Sequence, residues 1–400
     1  MSEANKGALA GVRVLDLTRA LAGPYCTMFL GDMGAEIAKI EQPNVGDDSR
    51  GWGPPFVGKE SAYFLAINRN KKSLTIDMKT DQGVELVRRL ASKADVLIEN
   101  FRPGTMERFG LGEPALRGLN PRLIYASLSG FGADGPMKDW PGYDLIMQAW
   151  GGFMSITGRP DGEPTKVAVA IIDIVAGLML GKAIAAALFA RERTGIGQRI
   201  DTSLLEAEVA CLIPYGSDYL ASGKVPGRNG NAHPNIVPYQ SFNTRDGYMV
   251  VGAASEGNWL RLCQAIERPE LANDPRFAKN AQRVANRKEL IDILTDLFLK
   301  RDTITWIRLL GEAGIPCAPV NTIDRVFSEP QVLHREMLLE IEHPTAGKVR
   351  MAGMPLKFSN TPASVRLPPP LLGQHTEEVL ASWLGMGDNE IAELKRKSVT

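Results

Sequence analysis

An α/β fold is predicted: a Rossmann-like, doubly wound parallel sheet in a large domain, with a second, smaller α+β domain. Three observations carry this reading. Short apolar strands alternate with helical segments through the first 130 residues, the pattern of parallel strands joined by crossover helices. The chain has 400 residues, more than one core usually holds. Residues 222–238 are dense in Gly, Pro, Asn and His, which marks a loop and a domain boundary.

The elements follow in order. Val12–Leu17 is an apolar strand, Thr18–Pro24 a turn, and Tyr25–Met33 a short helix closed by Gly34. Ala35–Ile40 and Ser73–Asp77 are further strands, and Thr80 caps a helix over Asp81–Lys93. Asp95–Glu99 and Leu123–Leu128 complete the first set. Right-handed crossovers would bring the strand ends to one edge, where ligands of such sheets sit. That places Thr18–Pro24, Glu99–Gly104 and Leu128–Gly132 round one crevice. Ile174–Arg191 is a long helix, read as fully buried because it is apolar almost all round. Tyr248–Ala253 and Ile315–Val320 read as strands, and Asn258–Ile266, Asn286–Lys300 and Thr303–Ala313 as helices. The expected boundaries are 1–224 for the large domain, 225–325 for the small one, and 326–400 for a segment returning to the large domain.

Composition removes several classes of function. Lys plus Arg equals Asp plus Glu at 46 each, so no global field attracts nucleic acid. Cys26, Cys211, Cys263 and Cys317 stand too far apart for a zinc site. Free thiols in a reducing cytoplasm fit that spacing. The four histidines share no metal-ligand spacing, and no metal is expected. Met1–Leu9 is polar, without a signal core. Val167–Ala190 is long enough to span a bilayer, but Asp173 and Lys182 interrupt it. No membrane partner is expected. No GxGxxG follows the first strand, which argues against a nicotinamide dehydrogenase.

Asp173 is the sharpest chemical signal, a carboxylate inside an apolar run at a helix start. It reads equally as an N-cap. The helix dipole and backbone donors would keep it ionised, and an ionised, partly dry carboxylate can attack an activated acyl group. Asn100 could bond a carbonyl or amide, and Arg102 and Arg108 could meet phosphates. A solvated loop is the plain alternative. Asn68–Lys72 is a basic cluster, either phosphate-binding or a solvated surface run. The glycine-punctuated Gly227–His233 reads as a lid or an interdomain linker.

Taken together, the motifs resemble class III coenzyme A transferases, the family of formyl-CoA transferase and carnitine CoA-transferase. The resemblance runs nearly end to end, through Gly11–Thr18, Ala22–Pro24, Gly34–Glu36, Lys39–Glu41, Asn70–Ser73, Glu99–Gly104, Arg193–Gly195, Gly197–Gln198 and Pro370–Thr376. It implies that Asp173 is the covalent nucleophile. It also implies coenzyme A contacts at Leu21, Ala22, Ile76, Asp77, Met78, Lys79, Asn100, Phe101, Arg102, Arg108, Tyr143 and Asp144. Arg228, Gly230 and His233 fall in the family's glycine-rich loop, with Arg228 and His233 as candidates for a second acid group. Gln42 stands where some members carry arginine. An interlocked homodimer is implied, with a CoA thioester as substrate and no permanent cofactor. Related racemases pair the aspartate with a Gly-His-Asp histidine; here the triplet is Gly142-Tyr143-Asp144, and a phenol of pKa ~10 is a poor acid/base at neutral pH. A non-catalytic acyl-CoA-binding protein is the other alternative. Trp52–Gly58, Ile236–Gln240 and Glu329–His334 resemble the succinyl-CoA:glutarate branch, so a succinyl donor and a dicarboxylate acceptor are expected.

Overall fold

The computed structural model describes residues 7–400, so most of the polar stretch Met1–Leu9 lies outside the described residues. The chain divides into two compact units. The first comprises residues 7–153, 167–222 and 330–400; the second comprises 154–166 and 223–329. Residues 154–166, expected in the large domain, therefore belong to the smaller unit.

The first unit is built on six parallel strands: β1 (Arg13–Asp16), β2 (Glu36–Glu41), β3 (Lys71–Thr75), β4 (Val96–Glu99), β5 (Ile124–Ser129) and β6 (Arg199–Ser203). Their order is β3-β2-β1-β4-β5-β6, the doubly wound arrangement expected. Because strand side chains alternate, Val14, Ile37, Val96 and Ile124 point to one face, and Leu15, Ala38, Leu97 and Tyr125 to the other. The first face is covered by α1 (Ala22–Asp32), α4 (Ile171–Thr194) and α5 (Leu204–Ala210). The second is covered by α2 (Asp81–Ala91) and by α9 (Thr376–Leu384) from the C-terminal segment. Thr80 caps α2 by accepting from Gly83 N at 3.0 Å. Strand order reverses between β1 and β4, so a crevice opens between the segments that follow them.

The helix α4 corrects the sequence reading. It is long and apolar enough to span a bilayer, yet it is not fully buried. One stripe, including Ile172, Ala176, Leu180, Ile184 and Leu188, packs on the sheet, while Leu178 and Phe189 are exposed. Gly177 sets the approach of α4 to α1, because a Cβ there would meet the carbonyl oxygen of Ala22 at 2.5 Å. Gly195, at φ 74°, ends α4 in the left-handed conformation.

Asn68–Lys72 also departs from expectation. Asn68, Arg69, Asn70 and Lys71 are buried, so the cluster is neither a solvated run nor a free phosphate site. Arg69 pairs with Asp32 of α1 at 2.7 Å and donates to Ala352 O at 2.9 Å. Asn70 Nδ2 donates to Asp32 and Ser364 O, and Asn70 Oδ1 accepts from Arg366 N and Leu367 N. The basic cluster thus clamps the C-terminal segment to the N-terminal half of the unit.

The second unit holds an antiparallel sheet of β7 (Tyr239–Asn243), β8 (Tyr248–Gly252) and β9 (Cys317–Pro319), in the order β9-β8-β7. Helices α6 (Glu256–Ala265), α7 (Arg287–Phe298) and α8 (Thr303–Glu312) enclose a core centred on Trp259, Phe298 and Trp306.

Candidate active site

The crevice of the first unit is a cavity of about 340 Å³. Its walls are the turn Arg19–Ala22 after β1, the loop Asn100–Pro103 after β4, Leu128–Gly130 after β5, Trp140–Tyr143, and Asp173. The predicted residues Leu21, Ala22, Asn100, Phe101, Arg102, Tyr143 and Asp173 therefore share one site. A second cavity, of about 190 Å³, shares Arg19 and Phe101 with the first and is lined by Gln42 and Ile76–Lys79. Together they trace the carboxyl edge of the sheet from Asp173 to Lys79, a path suited to an elongated ligand.

Asp173 lies in the first turn of α4, not at its cap; the cap residue is Ala170, which makes no side-chain cap bond. Capping falls instead to Asp144, on α3 (Asp144–Trp150), whose Oδ1 accepts from Ile172 N at 2.9 Å. Its Oδ2 accepts from Gln148 Nε2 at 2.6 Å. Asp144, predicted as a coenzyme contact, is buried and is not among the residues that line the cavity. The sequence hides this, since Asp144 lies 28 residues before Ile172, whose N–H it caps.

With its cap role taken, the Asp173 carboxylate has no hydrogen-bond donor among the described residues. The expectation of a readily ionised acid is reversed. Burial, with the Asp144 charge adding to it, pushes Asp173 up to about 7. A helix dipole contributes about 0.3–1 kcal/mol at an exposed site, less than one pKa unit, whereas desolvation can move a carboxyl by several units. Desolvation wins. Tyr63, absent from the expected site, is pushed up to about 12 by burial and by the charges of Asp173 and Asp144. Asp144→Asn removes the like charge while keeping an acceptor for Ile172 N. The apparent pKa that governs Asp173 should then fall below 7, and the rising limb of a rate–pH profile should move to lower pH. An unmoved limb would show that Asp144 does not set the titration.

The remaining predicted residues are placed as follows. Asn100 lines the cavity with part of its amide committed to the turn: its Oδ1 accepts from Arg19 N and its Nδ2 donates to Arg19 O, both at 2.9 Å. Arg102 is exposed at the rim. Arg108 bonds to Thr105 Oγ1 and lines neither cavity. Every residue lining the cavity round Asp173 belongs to the first unit, whereas Arg228, Gly230 and His233 belong to the second. There Arg228 donates to Arg159 O and Gly162 O, and Gly230 N donates to Gly158 O. His233 Nδ1 accepts from Asn235 N. The loop Gly227–His233 is thus tied to residues 158–162, with Arg228 Nε and Nη2 both donating to that segment. Among the described residues, no group of three or more His, Cys, Asp and Glu is placed to hold a metal ion.

A partly buried carboxylate at the carboxyl edge of a doubly wound sheet, beside an elongated two-part crevice, suits an enzyme that handles acyl groups. Residues 9–376 match CoA-transferase family III. The chain belongs to this family and is a CoA-transferase. It is 46% identical to succinyl-CoA:glutarate CoA-transferase of Mus musculus over 386 residues, covering 96% of this chain and 88% of that one. It is 42% identical to succinate–glutarate CoA-transferase of Agrobacterium fabrum, covering 94% and 96%. The crystal structure of a CAIB/BAIF family protein from Brucella suis matches with a TM-score of 0.84 at 41% identity, covering 95% of this chain and 100% of that one.

Proposed function

We propose that the protein moves coenzyme A from succinyl-CoA to a second dicarboxylate, with glutarate as the first acceptor to test, and that Asp173 is the covalent nucleophile. The observation that carries this is the Asp173 carboxylate itself, partly buried, without a hydrogen-bond donor among the described residues and open to the cavity. A carboxyl near pKa 7 is half ionised at neutral pH, and it is more nucleophilic than one of ordinary acidity. The names of the similar transferases support the choice of acids.

The chemistry balances without an external energy source. A carboxylate oxygen of Asp173 attacks the thioester carbonyl, and the carbon–sulfur bond breaks to give a succinyl-aspartyl anhydride and the CoA thiolate. The thiolate attacks the aspartyl carbonyl, releasing succinate and leaving an aspartyl-CoA thioester. The acceptor carboxylate displaces the thiolate from that thioester, giving a new anhydride. The thiolate then attacks the acceptor's acyl carbon, which yields the product thioester and returns the Asp173 carboxylate. Each step passes through an oxyanion. The N-terminus of α1 lies at the cavity wall through Leu21 and Ala22 and carries no side-chain cap, so its backbone donors are suited to that charge.

The exposed apolar residues Leu178 and Phe189 on α4, with Leu145, Ile146 and Trp150 on α3, support a homodimer in which a second copy covers them. Four free cysteines support a reducing, cytoplasmic setting. No part is proposed for a nucleic acid, a membrane or a permanent cofactor. The test is mass spectrometry of products from succinyl-CoA mixed with glutarate, mesaconate, malate, itaconate and oxalate. Glutaryl-CoA with release of succinate is the expected result. Absence of any new thioester across the whole pool would remove the proposal.

A further inference from the structure

The turn that follows β1 is held from below by an unusual set of buried groups. Lys39 Nζ donates to Thr18 O at 2.7 Å, and Lys71 Nζ donates to Pro24 O at 2.8 Å, so an ammonium grips each end. Both side chains are fully buried. Asp47 pairs with Lys39 at 2.8 Å and accepts from Ala20 N at 3.1 Å. Asn100 reaches across from the segment after β4 and closes two hydrogen bonds on the main chain of Arg19. Between these anchors Ala20 has φ 64°, a left-handed conformation that a Cβ disfavours roughly tenfold. The surroundings must hold it there.

We propose that Asn100, backed by the Lys39–Asp47 pair, is a positioning residue: it keeps Ala20 left-handed and so fixes Arg19–Ala22 in the wall of the cavity that contains Asp173. The inference rests on the proposed function, in which that wall faces the reacting thioester. It follows from donor arithmetic as well as from geometry. The Asn100 carbonyl accepts from Arg19 N and one of its two amide hydrogens goes to Arg19 O, so half of the side chain's hydrogen-bonding capacity is committed to the turn. A loosened turn harms the transition state more than it harms binding, so the loss belongs in kcat.

The experiment compares kcat and the acyl-CoA KM of the wild type, Ala20→Gly, Asn100→Ala and Asn100→Ala/Ala20→Gly. Asn100→Ala should lower kcat about ten- to hundredfold and move KM less than about threefold. Adding Ala20→Gly should recover about tenfold of that loss, because glycine takes φ near 64° without a steric penalty. A KM raised about tenfold at unchanged kcat, or a double variant no faster than Asn100→Ala, would overturn the proposal. Circular dichroism checks the fold. If Asn100→Ala does not fold, Asn100→Asp replaces it, keeping the acceptor for Arg19 N and losing the donor to Arg19 O. CoA transfer by the wild type and its loss in Asp173→Ala test the function separately, so a failed recovery by glycine speaks against the positioning role alone.

Discussion

Asp173→Asn is expected to abolish CoA transfer and, at the same time, to make the free protein more stable above pH 7. The first half follows from the covalent chemistry proposed above. An amide cannot form the anhydride, and loss of a nucleophile that acts as a unit with its site costs roughly 10⁴-fold or more in turnover. The second half follows from linkage. Burial, with the Asp144 charge adding to it, pushes the folded carboxyl up to about 7 from its ordinary 3.8. Between those values the folded chain holds a proton that the unfolded chain has lost, so stability falls as pH rises through the interval and levels off above 7. Each pKa unit is worth ~1.4 kcal/mol, which sets an upper bound of about 4 kcal/mol on the destabilisation. Asparagine removes the titration and recovers that amount, reduced by whatever packing the amide disturbs. Thermal unfolding of wild type and variant at pH 4.5 and pH 8 checks it: the curves should lie close together at the lower pH and separate at the higher one, with the variant the more stable. A variant no more stable at pH 8 would mean that the carboxylate is well solvated, and the basis of its reactivity would have to be sought elsewhere.

This trade between stability and reactivity explains why some of the site was legible in the sequence and some was not. Asp173 was conspicuous because a charge interrupts an apolar helix. The strands were legible because their side chains alternate between two apolar faces. What could not be read was each residue's partner. Asp173 passed for an N-cap because its neighbour along the chain is a helix start; the group that caps the helix is Asp144, which folding brings in from α3. That exchange of roles turned an acid expected to be easily ionised into one pushed up to about 7. Asn100 lines the cavity at the carboxyl edge, yet its hydrogen bonds run to Arg19, 81 positions away. Composition also misjudged burial. An almost wholly apolar α4 turned out to be buried along one stripe only, and a run of basic residues turned out to lie in the interior, since neither property records what a fold packs against a given face.

The basic run leads to the largest stability loss. Arg69→Ala is expected to destabilise the first unit by about 3–5 kcal/mol, the range for removing one partner of a buried ion pair. Arg69 and Asp32 are both nearly inaccessible, with side-chain exposures of 2% and 1%. Truncation strands the Asp32 carboxylate with only Asn70 Nδ2 as a donor among the described residues and opens a void where a guanidinium stood. Arg69→Lys should recover little. Lysine cannot reproduce the planar fork, in which Nε and Nη2 meet Asp32 while Nη1 donates to Ala352 O. Arg69→Met combined with Asp32→Leu should lose less than Arg69→Ala, because it leaves no unpaired charge behind. Since Arg69 and Asn70 hold the C-terminal segment at Ala352, Ser364 and Arg366, the loss should be local as well as global. Limited proteolysis under native conditions should cut Arg69→Ala first between residues 353 and 366, where the wild type resists, and urea midpoints should rank wild type above the double variant and the double variant above Arg69→Ala. Equal cleavage of wild type and Arg69→Ala in that segment would show that the clamp is not what holds the C-terminal segment in place.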